Sequence, residues 1–99
     1  MIIAGRDILT AFGRPHADAR KPLAAWVRIV QDQVWRSIDD VRRIYPHADA
    51  AGTCTLFNIK GNAYRLIAKI NYVAQVVDVR MVLTHAQYSK GAYENDCNC

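Results

Sequence analysis

Phe57-Asn58-Ile59-Lys60-Gly61-Asn62-Ala63-Tyr64-Arg65-Leu66-Ile67-Ala68-Lys69-Ile70-Asn71-Tyr72 is the stretch on which the reading of the fold turns. It reads as two antiparallel strands joined at Gly61-Asn62, two residue types that tolerate the positive φ a two-residue hairpin loop requires. With those two as the loop, Lys60 faces Ala63 and Asn58 faces Arg65. Side chains alternate along a strand, so Tyr64, Leu66, Ala68, Ile70 and Tyr72 share a core face. Arg65, Ile67, Lys69 and Asn71 share the opposite one, which carries two cations.

A third strand follows. Val77, Val79, Met81 and Leu83 share one parity; Asp78, Arg80 and Thr84 share the other, with Val76 and Val82. A short loop at Val73-Ala74 sets Tyr72 against Gln75, Lys69 against Asp78 and Ile67 against Arg80. Arg65 and Arg80 then become diagonal neighbours with Cα atoms roughly 7–8 Å apart. Two guanidinium groups so close repel each other, whereas a phosphate between them would be held by both. A basic sheet face of Lys60, Arg65, Lys69 and Arg80 is therefore the constellation with chemical content. The plainer reading, a solvated face with a Lys69–Asp78 ion pair, suits Lys69 better than it suits the arginines.

The rest of the chain frames this meander. Met1–Ala4 gives a weak edge-strand signal. Arg6–Arg14 reads as a helix with Ile8, Leu9 and Phe12 on one side, ended by Gly13 and Pro15. From Pro22, the residues Leu23, Trp26, Val27, Val30 and Val34 form a helical stripe. Trp26 and Trp35 read as core anchors. Ser37 stands as N-cap with Asp40 in the capping-box position of a short helix stopped by Pro46. His47–Thr53 reads as a loop. Strands are expected at about 54–60, 63–72 and 75–84, then a helical turn through His85, Tyr88 and Ser89. Residues 93–99 read as a frayed tail. The expected architecture is one α+β domain over residues 1–99, N-terminal helices packed on one face of a small antiparallel sheet.

Composition narrows the class. Ninety-nine residues suit one domain with a modest core. The formal charge is +4 and arginine outnumbers lysine nine to four, which suits an anionic partner such as RNA, or simply a soluble surface. Arg6 and Asp7 interrupt any apolar leader, and no run is long enough to span a membrane, so a cytoplasmic protein is expected. Three cysteines, Cys54, Cys97 and Cys99, fit free thiols in a reducing compartment. Phosphate-loop, dinucleotide, zinc-protease and nucleophile-elbow signatures are absent. His16, His47 and His85 have no ligand spacing, so no metal or cofactor is expected.

The run from Phe57 to Asn62, with Tyr64-Arg65-Leu66, Lys69-Ile70-Asn71-Tyr72, Thr84-His85 and Tyr88, resembles the HigB toxin family of RelE-like bacterial toxins. The likeness extends to Pro22-Leu23, Trp26 and Tyr45-Pro46. The resemblance implies a type II toxin–antitoxin system. Its toxin would be a metal-independent mRNA endoribonuclease acting on translated message in the 30S A site, neutralised by a HigA-type helix-turn-helix antitoxin. In that chemistry a ribose 2′-hydroxyl attacks the adjacent phosphate. The resemblance assigns Arg65 to charge stabilisation, Tyr88 to the 2′-hydroxyl, His85 to acid work near neutral pH, and Arg80 to a neighbouring phosphate. Lys60, Asn58, Asn62, Lys69 and Asn71 would line the RNA path. Two rivals remain, a non-catalytic RNA- or ribosome-binding module and a gyrase-directed toxin of related fold.

Overall fold

The computed structural model describes the whole chain, Met1–Cys99. Its elements are β1 (Ile2–Ala4), α1 (Arg6–Gly13), a single 3-10 turn (Ala17–Ala19), α2 (Arg20–Gln31), α3 (Ile38–Ile44), β2 (Asp49–Ala51), β3 (Cys54–Ile59), β4 (Tyr64–Asn71), β5 (Val76–Thr84), α4 (His85–Ser89) and α5 (Glu94–Cys97). The sheet runs β1-β5-β4-β3-β2. The β3–β4–β5 meander is antiparallel as expected, while β1 lies parallel to β5 and makes the sheet mixed. β2, in a segment read as loop, pairs with β3.

One face is built by the alternation seen in the sequence. Phe57, Ile59, Tyr64, Leu66, Ala68, Val77, Val79 and Val82 meet Leu9, Leu23, Trp26, Val30, Trp35 and Val41 in a continuous apolar core. Its centre is Phe57, fully buried. Trp26 and Tyr45 meet it edge-on at ring-centroid distances of 5.4 and 5.3 Å, and Trp35 stacks on it at 6.1 Å. Aromatic pairs favour both arrangements because the ring face is negative and its edge positive. Three segments distant in sequence are thereby locked onto β3.

The α2 stripe is buried at Leu23, Trp26 and Val30. It stops there, because the helix ends at Gln31 and leaves Val34 exposed. Pro22 costs the helix nothing, since the first-turn N–H groups have no intrahelical acceptor. Ser37 is the N-cap of α3, but its side chain accepts no bond. Asp40 instead takes the N–H of Arg36, one residue before the N-cap, at 2.9 Å, so neither bond of the expected capping box forms. Gly5 precedes α1 at φ +84°, and a Cβ there would lie 2.6 Å from the Val79 carbonyl oxygen. Glycine is what lets α1 enter directly over β5.

β5 departs from the sequence reading in a way that matters for the site. Ile67 pairs with Met81, and Ala68 with Val79. Arg80 is thus the extra residue of a β-bulge, which bends the strand and resets its parity. Beyond it Val82 turns to the helix side, and Leu83 and Met81 to the other. Ile67 does not oppose Arg80, whereas Asn58↔Arg65 and Lys69↔Asp78 keep the expected register.

The second face is not open. Cys54, Leu56, Ile67, Leu83 and Cys97 form a smaller apolar cluster, with Met81, Tyr88 and Tyr93 against it. Cys54 and Cys97 are disulfide-bonded across Cα atoms 5.2 Å apart, and only Cys99 is a free, exposed thiol. The expectation of three free thiols and a frayed tail is corrected on both counts. The Thr53 N–H donates to the Cys97 carbonyl at 2.8 Å. A Cβ on Gly52 would fall 1.8 Å from that same oxygen, so the tail seats against bare backbone.

Candidate phosphate-binding site on the tail side of the sheet

Arg65 leaves β4 on the second face, opposite Asn58. Its Nη1 donates to the carbonyls of Asn62 (3.3 Å) and Tyr64 (3.2 Å), and its Nη2 to Asn62 Oδ1 at 3.3 Å. The guanidinium carbon lies 4.8 Å from the centroid of the Tyr88 ring. A cation over an aromatic face gains about 0.5–1 kcal/mol at an exposed site and loses rotamer freedom. The β3–β4 turn and α4 therefore aim one half-buried arginine.

α4 is fixed by its cap. The Thr84 side chain accepts the Gln87 N–H at 3.3 Å, and Gln87 Oε1 accepts the Thr84 N–H at 3.0 Å. This reciprocal box, absent at α3, holds the first turn carrying His85. The His85 N–H also donates to the Ala63 carbonyl, tying α4 to the β3–β4 turn. His85 is exposed, with Nδ1 3.4 Å from Ser89 Oγ, and its ring centroid lies 6.2 Å from that of Tyr88. Arg65, Asn58, Asn62, His85 and Tyr88 are thus gathered at one end of the sheet.

Arg80 is not part of that group. Its guanidinium grips Asp96 through Nε–Oδ2 at 2.8 Å and Nη2–Oδ1 at 3.1 Å, and reaches Asp78 at 3.2 Å. Lys69 lies 3.7 Å from the same Asp96 carboxylate. The bulge sets Arg80 one residue farther along β5 from the partner of Arg65 than a regular ladder would, and two carboxylates take its charge. The expected meeting of two arginines around one phosphate gives way to two separate cationic positions, Arg65 at one end and Arg80 with Lys69 at the other.

Lys60 and Asn71 stand apart from both. Lys60 adopts φ +52° in the turn and pairs with Asp18 at 2.7 Å, toward the N-terminal helices rather than on the basic face. Lys60, rather than Asn62, takes positive φ beside Gly61. The Lys60 hydrogen bond, followed by that from the Tyr64 hydroxyl, holds the Asp18 carboxyl below its ordinary range. Asn71 Oδ1 accepts the Ala74 N–H at 2.9 Å, closing the β4–β5 turn.

Asp96, Cys97 and Tyr93 are the residues the sequence reading missed. Tyr93 stacks on Tyr88 at 5.5 Å with planes 15° apart, and burial raises its hydroxyl pKa. The signal available was Cys54, which shares the parity of Leu56 and Asn58 and so faces away from the helices. No three His, Cys, Asp or Glu side chains come together as a metal-ligand group.

The paired charges set a pH dependence. The Arg80 hydrogen bond holds the Asp96 carboxyl below the usual carboxylate range. A carboxyl whose folded pKa is depressed contributes its full stabilisation above the unfolded value, about 3.9, and loses it as pH falls through the folded one. Wild type should lose thermal stability on acidification from about pH 5 to pH 2 more steeply than Asp96→Asn. Parallel acid limbs in melting curves of the two proteins would remove Asp96 from the account.

Residues 19–91 match the family model HigB_toxin, described as the RelE-like toxic component of a toxin-antitoxin system. The chain belongs to the HigB toxins. A search of curated proteins gives no match. The α+β layout, with helices on one face of the sheet, agrees with a RelE-like fold. As the toxic component of such a system, a HigB toxin implies an antitoxin partner. The matched segment holds Arg65, Arg80, His85 and Tyr88 but ends before Tyr93, Asp96 and Cys97. No helix is long and apolar enough to cross a membrane.

Proposed function

We propose that this HigB toxin is a ribosome-dependent mRNA endoribonuclease that cleaves by internal transesterification. The observation that carries the reading is Arg65 held across the Tyr88 ring and next to Asn62, with His85 one helical turn before Tyr88. The ribose 2′-oxygen attacks the adjacent phosphorus and loses its proton. Negative charge builds on the phosphoryl oxygens, and the 5′-oxygen leaves with a proton. The products are a 2′,3′-cyclic phosphate and a 5′-hydroxyl.

Arg65 faces the developing charge with a fork that matches two phosphoryl oxygens. Tyr88 orients the ribose end. His85, exposed on the first turn of α4, supplies the leaving-group proton. Asn58 and Asn62 flank the same path, and Arg80 with Lys69 holds a phosphate farther along the strand. The proposed substrate is message in the ribosomal A site, and the proposed partner a HigA-type helix-turn-helix antitoxin. The groove between α1 and α2, floored by Leu9, Leu23 and Val27 and rimmed by Arg6, Arg14 and Arg20, is one surface open to that partner.

Primer extension on translated mRNA after induction tests the reading. New 5′ ends within translated codons are expected. The charge-pairing of Arg80 favours one rival, a binding-only module with a single arginine to spare. That module would arrest translation and retain RNA in a salt-dependent way, yet leave every message intact.

A further inference from the structure

We infer that residues 93–97 are a disulfide-tethered cap that occupies the RNA face in the place of a nucleotide, and that thiol reduction of Cys54–Cys97 releases it. The inference rests on the RNA-binding reading of this face. Three contacts carry it. Asp96 presents a two-oxygen anion to Arg80 and Lys69, as a phosphate would. Tyr93 lies flat on Tyr88, which also bears Arg65, as a base would. Cys97, next to Asp96, is bonded to Cys54 of the central sheet. An aromatic ring and a carboxylate three residues apart thus cover both the stacking surface and the second cationic position.

The disulfide is the one covalent link between the cap and the sheet. α5 is four residues long, and its polar links to the sheet are the half-exposed ion pairs and the hydrogen bonds of Thr53 to the Cys97 carbonyl. The bidentate Arg80–Asp96 pair is the strongest of these, and being partly exposed it holds the segment less firmly than a covalent bond does. Terminal segments of this kind open locally at small cost. Opening exposes the buried sulfurs to a small dithiol. One of its thiolates attacks Sγ of Cys97 and expels the Cys54 thiolate, leaving a mixed disulfide. Its second thiolate then expels the Cys97 thiolate and closes the reductant's own disulfide. Two electrons pass from the dithiol to the protein, and Cys54 and Cys97 take up protons. The tail then has no covalent hold on the sheet.

The test uses the full chain, oxidised and then reduced with dithiothreitol. One readout is amide hydrogen exchange over residues 93–97. The other is anisotropy of a labelled single-stranded oligoribonucleotide. Reduction should bring the tail amides to near-unprotected exchange and tighten RNA binding about tenfold, a free-energy change of about 1.4 kcal/mol. Cys97→Ser should behave as reduced protein under both conditions. Cys99→Ser should switch as wild type does, and oxidised Asp96→Asn should bind RNA between the two states.

Unchanged tail exchange after complete reduction would overturn the tether. Equal RNA binding by all forms would overturn the cap while leaving the RNA reading intact. A tail freed by reduction, with no form retaining RNA, would bring down the RNA reading and the nucleotide-like role of the cap with it.

Discussion

Arg65→Ala is expected to lower the rate of message cleavage on the ribosome by about 10²–10³, the range seen when one preorganised donor to a developing oxyanion is removed. The fold should survive the change. Arg65 is half-buried at the sheet end, and its bonds go to turn carbonyls and the Asn62 amide, which water can satisfy in its absence. What folding loses is a cation–π contact worth about 0.5–1 kcal/mol. For a domain of this size each kcal/mol is about 4–8 °C of melting temperature, so a shift of a few degrees is the ceiling. Arg65→Lys keeps the charge and loses the fork, and should fall between wild type and alanine. Induction of the alanine variant should then permit growth while soluble protein accumulates. Cleavage at the wild-type rate by purified Arg65→Ala would move the catalytic charge elsewhere, with Arg80 the first candidate.

The resemblance already set Arg65 ahead of Arg80, but the separation of the two side chains was not legible in the sequence, and the cause is physical. The run Val76-Val77-Asp78-Val79-Arg80-Met81-Val82-Leu83 has no glycine or proline to mark a break, so simple alternation carries Arg80 to the position opposite Ile67. Both sheet faces turn out to be apolar beyond the bulge, and alternation cannot report a parity change when either parity is acceptable to a core. Before the bulge the register was legible: Asn58↔Arg65 and Lys69↔Asp78 follow from the hairpin and the short loop alone. The α2 stripe and the roles of Trp26 and Trp35 were legible as well.

The tail was hidden by its composition. Glu94-Asn95-Asp96-Cys97-Asn98-Cys99 has no apolar periodicity, and what ties it to the sheet, the disulfide, the Asp96 carboxylate and the Thr53 bonds to the Cys97 carbonyl, is all long-range pairing. An odd cysteine count conceals a pair as readily as it suggests free thiols. Lys60 illustrates the opposite failure. Its place at the hairpin end was correct, but whether a turn lysine reaches the sheet face or the helix side depends on Asp18, more than forty positions away in the chain. Sequence alternation speaks only within a strand.

Phe57→Ala is expected to destabilise the protein by about 3–5 kcal/mol, against a total of about 5–15 kcal/mol for a typical domain. The upper end of that range applies where a site cannot collapse. Here the ring is enclosed by Trp26, Trp35 and Tyr45, each anchored on a different segment and unable to follow the others into the void. Neither indole N–H of the two tryptophans has a hydrogen-bond partner, so their orientation depends on packing that the substitution removes. In urea the midpoint should fall sharply while the slope stays the same, the mark of a change in stability rather than in the unfolded state. Phe57→Leu fills most of the volume and should cost far less. Set beside Arg65→Ala, the pair separates two ways of losing toxicity. Phe57→Ala should leave less folded protein but give near-normal cleavage per folded molecule, because its side chain points to the helices and Arg65 to the other face. A Phe57→Ala protein as stable as wild type would mean that the three aromatic contacts are not what holds the helical layer to the sheet.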